Sequence, residues 1–480
     1  MPRLVKMAGP DRLKRPSAPS STRMPFIISS GIDKTDPTTR KLIRSHARRG
    51  KTRKDTCPNS SKKSLGRTTE ITRSRSEPLK LEEVVEVYAP LIPGRIGVNI
   101  YYVNFPDNIG PSALYNMAKV TTIVRKVIFP LRAAVSFQDD ENGWVSPFGR
   151  DAVALHIMAF AVQGFVDRVL RRHDNINPVA ILHFQKGLRL LRERLLGNDD
   201  ETKISDSTMS VVLKLASVAQ FDGDYHTSKQ HMEGLRKMVD LRGGLDRFKG
   251  KPLLLEMLRC DLAVALLGGS SPVFFVQPSE PVAEYPEKLL PASDDGSFPQ
   301  DDMNLLRITD NDLAIVWRVL KRFCSFVHLG TQTRRTIRPD IIYETMIAAM
   351  YRLLHMRFSI RSIDNAVRQG LLAFCYHVFL QWQDIKPRCC HFTTAYQACI
   401  LDLESHEGVS PRLMLWLLMT GAVSIFNIAD EAWLRECIEV NIGRCKIRTW
   451  KEMHGLLKSF MWIDALDEQQ GRNIYNCLLK

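Results

Sequence analysis

The chain has 480 residues, of which 44% are hydrophobic and 25% are charged, so it is long enough to bury a sizeable core. Its formal net charge of +15 excludes an acidic protein and points to an acidic partner. Ten cysteines are few for this length, which is typical of a reducing compartment and excludes a disulfide-rich scaffold.

The excess positive charge lies in an N-terminal tail. Residues 1–80 contain 21 Lys and Arg against 6 Asp and Glu, a net of +15, so residues 81–480 are neutral overall. The tail is rich in Ser, Thr and Pro and poor in large apolar residues, which predicts disorder. Its beginning lacks the apolar run of a signal peptide, whereas its composition leaves a mitochondrial transit peptide as an alternative.

The densest basic cluster of this tail is RKLIRSHARRGKTRK at 40–54, which contains no carboxylate. Its cationic residues are Arg40, Lys41, Arg44, Arg48, Arg49, Lys51, Arg53 and Lys54. Such a cluster is recognised by an import receptor, neutralises phosphates, or is a solvated tail without a partner. Because it has no aromatic, Asn or Gln side chain to contact base edges, we rank nuclear import first, phosphate contact second and sequence-specific recognition last.

The rest of the chain predicts an all-α fold. Residues 81–111 are punctuated by Pro and Gly and are expected to form an extended connector. Between 112 and 480 the apolar residues recur at helical spacing, which predicts either one large helical domain or two fused sub-bundles. Helices are predicted at 178–196, 205–221, 224–242, 309–328, 339–357, 364–384, 410–429, 431–441 and 451–460, with an irregular excursion at 272–308.

Three apolar patterns predict which helix faces are buried. In the helix at 178–196 the inward stripe is Ile181, Phe184, Leu188, Leu191 and Leu195, and the solvent-facing cations are Lys186, Arg189, Arg192 and Arg194. In the helix at 309–328 the inward stripe is Leu313, Val316, Leu320, Phe323 and Val327. The 17-residue run at 413–429 is shorter than a membrane span and contains polar residues, so we expect a buried core helix.

Candidate catalytic motifs lack the setting that their chemistry requires. Tyr225 and Lys229 have the Tyr-x-x-x-Lys spacing of short-chain dehydrogenases, but no Gly-rich nucleotide-binding loop follows a strand. Residues 268–271, Gly-Gly-Ser-Ser, do not match the Gly-x-Ser-x-Gly elbow of α/β-hydrolases. We therefore expect no enzyme activity and no cofactor.

Candidate metal ligands are also incomplete. Cys389, Cys390 and His391, with Cys399 downstream, form no tetrahedral ligand set, since a second Cys or His pair is missing. The histidines at 226 and 231 are five residues apart, so they do not share a helix face as an i, i+4 pair would. The sequence thus predicts no metal site.

Four parts of the chain carry a family resemblance: the basic segment 34–54, residues 94–131, the helical segments 182–195 and 205–245, and the C-terminal block 448–464. Together they resemble the helical regulatory region of the fungal-specific transcription factor domain family. Many members of that family carry a six-cysteine binuclear zinc cluster near the N-terminus. Residues 1–259 contain one cysteine, Cys57, whereas the cluster needs six. This chain is therefore similar to a member that lacks the cluster.

The resemblance implies a nuclear, transcription-related protein. Its expected partners are an import receptor and other transcription-related proteins, with non-specific DNA contact through the tail and no membrane association. The sequence is compatible with either a homo-oligomer or a hetero-oligomer. The alternative function is that of a non-catalytic helical scaffold, for example one tied to a biosynthetic pathway.

Overall fold

The protein is described by a computed structural model at residues 105–107, 109, 113–114, 116–117, 120, 131, 150–167, 177–276, 280–290, 308–335, 337–382, 386, 390–405 and 408–478. The tail predicted at 1–80, and the connector predicted at 81–111 apart from 105–107 and 109, lie outside these residues. Within them the chain is 75% helical and has no strand, which confirms the all-α prediction.

The α-helices follow one another along the whole described body. The first are α1 Ala152–Phe165, α2 Pro178–Leu196, α3 Asp200–Lys203, α4 Asp206–Phe221, α5 Tyr225–Leu241 and α6 Pro252–Gly268. The next are α7 Asn311–Thr333, α8 Pro339–His355, α9 Ile363–Cys375, α10 His391–Glu404, α11 Pro411–Ser424, α12 Ala432–Cys445, α13 Trp450–Ser459 and α14 Asp464–Leu478. A π-helical turn, Tyr376–Leu380, continues α9, and 3₁₀ turns lie at Leu245–Phe248 and Glu287–Leu289.

The helices begin where the sequence supplies capping groups. Side-chain oxygens of Asp151, Ser205 and Asp310 accept hydrogen bonds from backbone N–H groups in the first turns of α1, α4 and α7. Proline occupies the beginning of α2, α6, α8 and α11, where its missing N–H would have no helical partner. Local chemistry therefore sets many of the boundaries that the sequence predicts.

Helix α11 lies at the centre of the main core. Every residue from Leu413 to Ser424 is buried, which agrees with the predicted core helix in this part of the chain. The Trp416 ring meets Trp317 edge to face, with centroids 5.3 Å apart, and stacks on Phe460 at 5.8 Å. No helix among the described residues is long and apolar enough to cross a membrane.

Polar groups of α11 form hydrogen bonds with other parts of the chain. Lys386 donates from Nζ to the carbonyl of Ala422 at 3.0 Å and also bonds to the carbonyl of Val423. A cation is favourable there because the last carbonyls of a helix lack intrahelical donors and carry partial negative charge. Trp416 donates from Nε1 to the Met461 carbonyl at 3.0 Å, which ties α11 to the segment between α13 and α14.

A second, smaller hydrophobic cluster involves α1 and the described residues before it. Its buried members are Ile109, Met117, Val120, Leu155, Ala159, Val162 and Val166. Phe165 and Trp382 pack against it, with ring centroids 5.0 Å apart.

The buried face of α7 is the one predicted from its sequence, whereas the buried face of α2 differs from the prediction at the end of the helix. All five residues of the α7 stripe are fully buried. In α2, however, Leu195 is 41% exposed and Arg194 is turned toward the protein, so both predictions were wrong. The reason is an ion pair: Arg194 Nη2 lies 2.8 Å from Oδ1 of Asp151, the residue that caps α1. This contact holds the arginine against the body.

The first mutational prediction concerns the close contact between α9 and α11 at Gly370. A Cβ added there would lie 2.5 Å from Leu417 Cδ2 and 2.8 Å from Trp416 Cζ3. We expect Gly370→Ala to lower the free energy of unfolding by about 1–3 kcal/mol, because overpacking outweighs the gain in helix propensity. Urea unfolding of the purified chain measures the change.

Gly234 in α5 provides the matched control, since a Cβ there would meet no atom within 4 Å. Gly234→Ala is expected to raise the free energy of unfolding by about 0.5–1 kcal/mol through helix propensity alone. Equal stability of the two variants would contradict the tight contact at Gly370.

Candidate functional site

The eight cationic residues of the predicted import or phosphate-contacting cluster lie outside the described residues. They are Arg40, Lys41, Arg44, Arg48, Arg49, Lys51, Arg53 and Lys54. Candidate sites with a known geometry therefore come from the helical body.

The dehydrogenase-like pair and the glycine-serine segment lie at helix ends. Tyr225 and Lys229 are in the first turns of α5, and Gly268 is the last residue of α6. A Cβ at Gly268 would lie 2.8 Å from Cβ of Tyr225, so the two helices meet closely at this glycine. Gly269 adopts φ 67° and ends α6 in the left-handed conformation that glycine tolerates best. These residues pack and terminate helices.

The cysteine-rich segment brings no ligand set together among the described residues. Cys389 lies outside them, Cys390 and Cys399 are buried free thiols, and His391 is exposed. Burial raises the pKa of the Cys399 thiol to about 11, so it is protonated at neutral pH and is a poor metal ligand.

The two histidines of α5 face different environments. His226 is exposed, whereas His231 is buried in the core. Burial lowers the pKa of His231 to about 4, so this side chain is neutral at physiological pH.

Asp261 is a buried carboxylate with a structural role. It accepts hydrogen bonds from the backbone N–H groups of Val273 and Phe274, at 2.8 and 3.0 Å, and from the Tyr351 hydroxyl at 2.8 Å. Burial raises the pKa of Asp261 to about 6, and the three hydrogen bonds oppose that rise. Asp261 thereby fastens the chain after α6 to α8.

A histidine pair lies near the smaller hydrophobic cluster. His156 Nδ1 is 2.9 Å from Nδ1 of His183, and His156 Nε2 is 3.1 Å from Oδ2 of Asp107. The same Asp107 oxygen is 2.7 Å from Nζ of Lys186. Burial lowers the pKa of His183, and the nearby charge of His156 adds to the effect. The bonds connect α1 and α2 to the preceding segment, which is a structural use of these groups.

A third polar cluster joins the middle of α13 to the first turns of α14, and we call it the C-terminal cluster: His454, Asp464 and Glu468. His454 Nε2 is 2.8 Å from Oδ1 of Asp464 and 3.1 Å from Oε2 of Glu468. One potential ligand atom from each of these three side chains lies within 4.8 Å of the other two. Among the described residues, this is the group of His, Cys, Asp and Glu side chains that is compact enough to hold a metal ion. The three side chains are 23%, 35% and 34% exposed, so solvent reaches the cluster.

Neighbouring side chains donate hydrogen bonds to the carboxylate oxygens that do not face His454, which we call the outer oxygens. Lys458 Nζ donates to Oδ2 of Asp464 at 2.7 Å. Trp450 Nε1 and Arg472 Nη2 donate to Oε1 of Glu468 at 2.9 and 3.2 Å. Asp464 Oδ1 and Glu468 Oε2 are thereby turned toward His454.

Neighbouring groups also set the protonation states around the cluster. Partial burial opposes ionisation of Asp464, but hydrogen bonds from Lys458 and His454 outweigh it and hold the pKa of the carboxyl below its ordinary value. Burial lowers the pKa of His328, whose Nε2 accepts a hydrogen bond from the backbone N–H of Asp464 at 3.2 Å. The cluster therefore combines an ionised carboxylate with a neutral neighbouring imidazole.

Asp467 fixes the direction of α14. His377, in the π-helical turn, is 2.8 Å from Oδ1 of Asp467, and the backbone N–H of Ile463 donates to Oδ2 at 2.9 Å. Asp467 is buried, and Asp464 and Glu468 lie four residues apart on the outer side of the same helix.

Sequence reasoning missed the C-terminal cluster because α14 was not among the predicted helices. The usable signal was present in the segment HGLLKSFMWIDALDE, where Asp464 and Glu468 have the i, i+4 spacing of one helix face. The third member, His454, lies ten residues earlier, so it joins them only through the reversal between α13 and α14.

No protein-family model, curated protein or solved structure matches the chain.

The prediction from this part of the structure is a pH-dependent effect of Asp261→Asn. Between the ordinary carboxyl pKa of 3.8 and about 6, the native state retains a proton that the unfolded chain has released. The stability contributed by Asp261 is therefore full below this window and falls as the pH rises through it. Asn does not titrate and cannot accept from both backbone N–H groups, so the variant is less stable at either pH by about 1–3 kcal/mol or more.

Urea unfolding of both proteins at pH 4.5 and pH 7 measures the difference. The destabilisation by Asp261→Asn should be larger at pH 4.5 than at pH 7, by about 2 kcal/mol. Tyr351→Phe is the control for loss of one donor, with an expected cost of about 0.5–1.5 kcal/mol. An equal effect of Asp261→Asn at both pH values would contradict the raised pKa.

Proposed function

We propose that the chain is a non-catalytic nuclear regulator of transcription whose basic tail serves import and whose helical body binds other transcription-related proteins. The observation that carries the proposal is the partition of charge. Residues 1–80 hold 21 Lys and Arg against 6 Asp and Glu, which equals the whole net charge of +15. A basic arm on a neutral body favours recognition of the arm by a receptor or a polyanion.

Ion pairs in the helical body support this division of roles. Arg242 and Lys251 both contact Asp206, and Arg236 lies 2.9 Å from Asp240 and 2.6 Å from Glu280. Cations already paired with carboxylates are less available to phosphates, whereas the cluster at 40–54 has no carboxylate in its own sequence. We therefore assign any DNA contact to the tail, as a non-specific phosphate interaction.

The family resemblance is the second support. Its most specific segments, 182–195 and 205–245, lie in α2, α4 and α5. Helices α4 and α5 pack together, and Ser228 Oγ donates to the Ala216 carbonyl at 2.7 Å across their contact. The resemblance thus lies in packing residues, which favours a regulatory, protein-binding role for the body over catalysis.

The import role is tested by changing all eight cationic residues of the cluster at 40–54 to Gln in a fluorescent fusion of the full chain. We expect nuclear accumulation to be lost, because an import receptor recognises dense positive charge. Quantitative imaging of the nuclear-to-cytoplasmic ratio measures the effect.

The matched control changes other cations of the same tail to Gln: Lys62, Lys63, Arg67, Arg73 and Arg75. This variant should accumulate in the nucleus like the unmodified chain. Unchanged accumulation of the eight-residue variant would refute the assignment of the cluster.

The regulatory role is tested by genome-wide chromatin occupancy of the tagged chain. We expect enrichment at promoters. The eight-residue variant, returned to the nucleus by an added import signal, should keep that enrichment if the helical body is recruited by protein partners. Absence of promoter enrichment for the unmodified chain would contradict the proposal and favour the helical scaffold.

A further inference from the structure

We propose that the C-terminal cluster binds one divalent transition-metal ion, Zn²⁺ in particular, through His454 Nε2, Asp464 Oδ1 and Glu468 Oε2. The proposal is independent of the basic tail and of the transcription role. It rests on the placement of three ligand atoms, on their unused lone pairs and on the groups that orient them.

The distances suit a small metal ion. Zn²⁺ is held by imidazole nitrogen and carboxylate oxygen at about 2.0–2.2 Å, which places neighbouring atoms of a tetrahedral site about 3.3–3.6 Å apart. His454 Nε2 is 2.8 Å from the Asp464 oxygen and 3.1 Å from the Glu468 oxygen. The two distances from His454 Nε2 would have to lengthen by only about 0.2–0.8 Å to match those of a tetrahedral site. The two carboxylate oxygens lie within 4.8 Å of each other.

One oxygen of the cluster is an acceptor without a donor. Glu468 Oε2 is buried and accepts no hydrogen bond within the described part of the chain. Its near neighbour is His454 Nε2. A single proton on that nitrogen points at one oxygen only, and Asp464 Oδ1 is the closer acceptor at 2.8 Å. An ion pair alone therefore leaves Glu468 Oε2 unsatisfied, whereas a metal ion would be shared by all three atoms.

The surroundings orient the ligands as metal sites require. Lys458, Trp450 and Arg472 hold the outer carboxylate oxygens, so the inner oxygens keep their direction. The Trp450 ring stacks on His454 with centroids 5.8 Å apart and planes inclined by 27°. These contacts fix the imidazole and both carboxylates before any ion is bound.

The chemistry of the ligands selects the class of metal. One imidazole with two carboxylates suits Zn²⁺ and similar first-row ions, whereas Ca²⁺ and Mg²⁺ prefer all-oxygen sites with more ligands. Three protein ligands leave a fourth position for water, and the exposure of the cluster allows access from solvent. The bound ion would fasten the middle of α13 to the beginning of α14.

The test uses the full chain, freed of metal with a chelator and then dialysed. Calorimetric titration with Zn²⁺ should show a site that Glu468→Gln and Asp464→Asn each weaken at least tenfold. Glu439→Gln, which alters an exposed carboxylate of α12, should bind like the unmodified chain. Zn²⁺ should also raise the melting temperature of the unmodified chain and of Glu439→Gln, but not that of Glu468→Gln.

Two further measurements keep the test decisive. Co²⁺ bound at this site should lack the thiolate charge-transfer band that cysteine ligation would produce, since the ligands are nitrogen and oxygen. If the variants fail to fold, Zn²⁺ should protect His454 of the unmodified chain from chemical acylation while leaving the exposed His226 reactive. Zn²⁺ binding that is equal in Glu468→Gln and the unmodified chain, or an unprotected His454, would overturn the proposal.

Discussion

The burial of α11 is the constraint on which much of the helical body depends. A helix that is apolar on every side must be enclosed by other elements, and its Trp416 needs both aromatic neighbours and an acceptor for its indole N–H. The neighbours come from Trp317 in α7 and from Phe460, and the acceptor is the Met461 carbonyl. One side chain thus holds together helices that are far apart in sequence.

The same constraint positions the C-terminal cluster. Phe460 and Met461 belong to the short segment between α13 and α14, so their contacts with Trp416 fix where α13 ends and where the chain turns back. The buried bond between Asp467 and His377 then sets the rotation of α14. Because these contacts bury one side of the helix, the remaining acids of its first turns face His454. A surface site is therefore defined by core packing.

Sequence periodicity predicted the parts of the fold in which each helix carries its own signal. Helix α7 shows a clear inward stripe, and α2 begins with a proline at the predicted position. The helices α1, α3, α6, α10 and α14 were missed. Helix α6 is buried almost throughout and α1 on most of its sides, so neither has a simple amphipathic pattern, and α3 has only four residues. Helix α10 does bury a stripe at helical spacing, Phe392, Tyr396, Cys399 and Leu403, which sequence reasoning overlooked. Arg194 was misplaced because its partner, Asp151, lies 43 residues away. The C-terminal cluster likewise depends on a reversal of the chain that periodicity does not contain.

Charged residues have two arrangements along this chain, and the two arrangements respond differently to salt. In the body, partly buried pairs such as Arg194 with Asp151 join one helix to the next, and their short distances limit screening by salt. In the tail, the cations at 40–54 have no carboxylate among them, so their interactions with any polyanion weaken as ionic strength rises. Rising ionic strength should therefore weaken any binding of a polyanion by the tail far more than it weakens the partly buried ion pairs between the helices of the body.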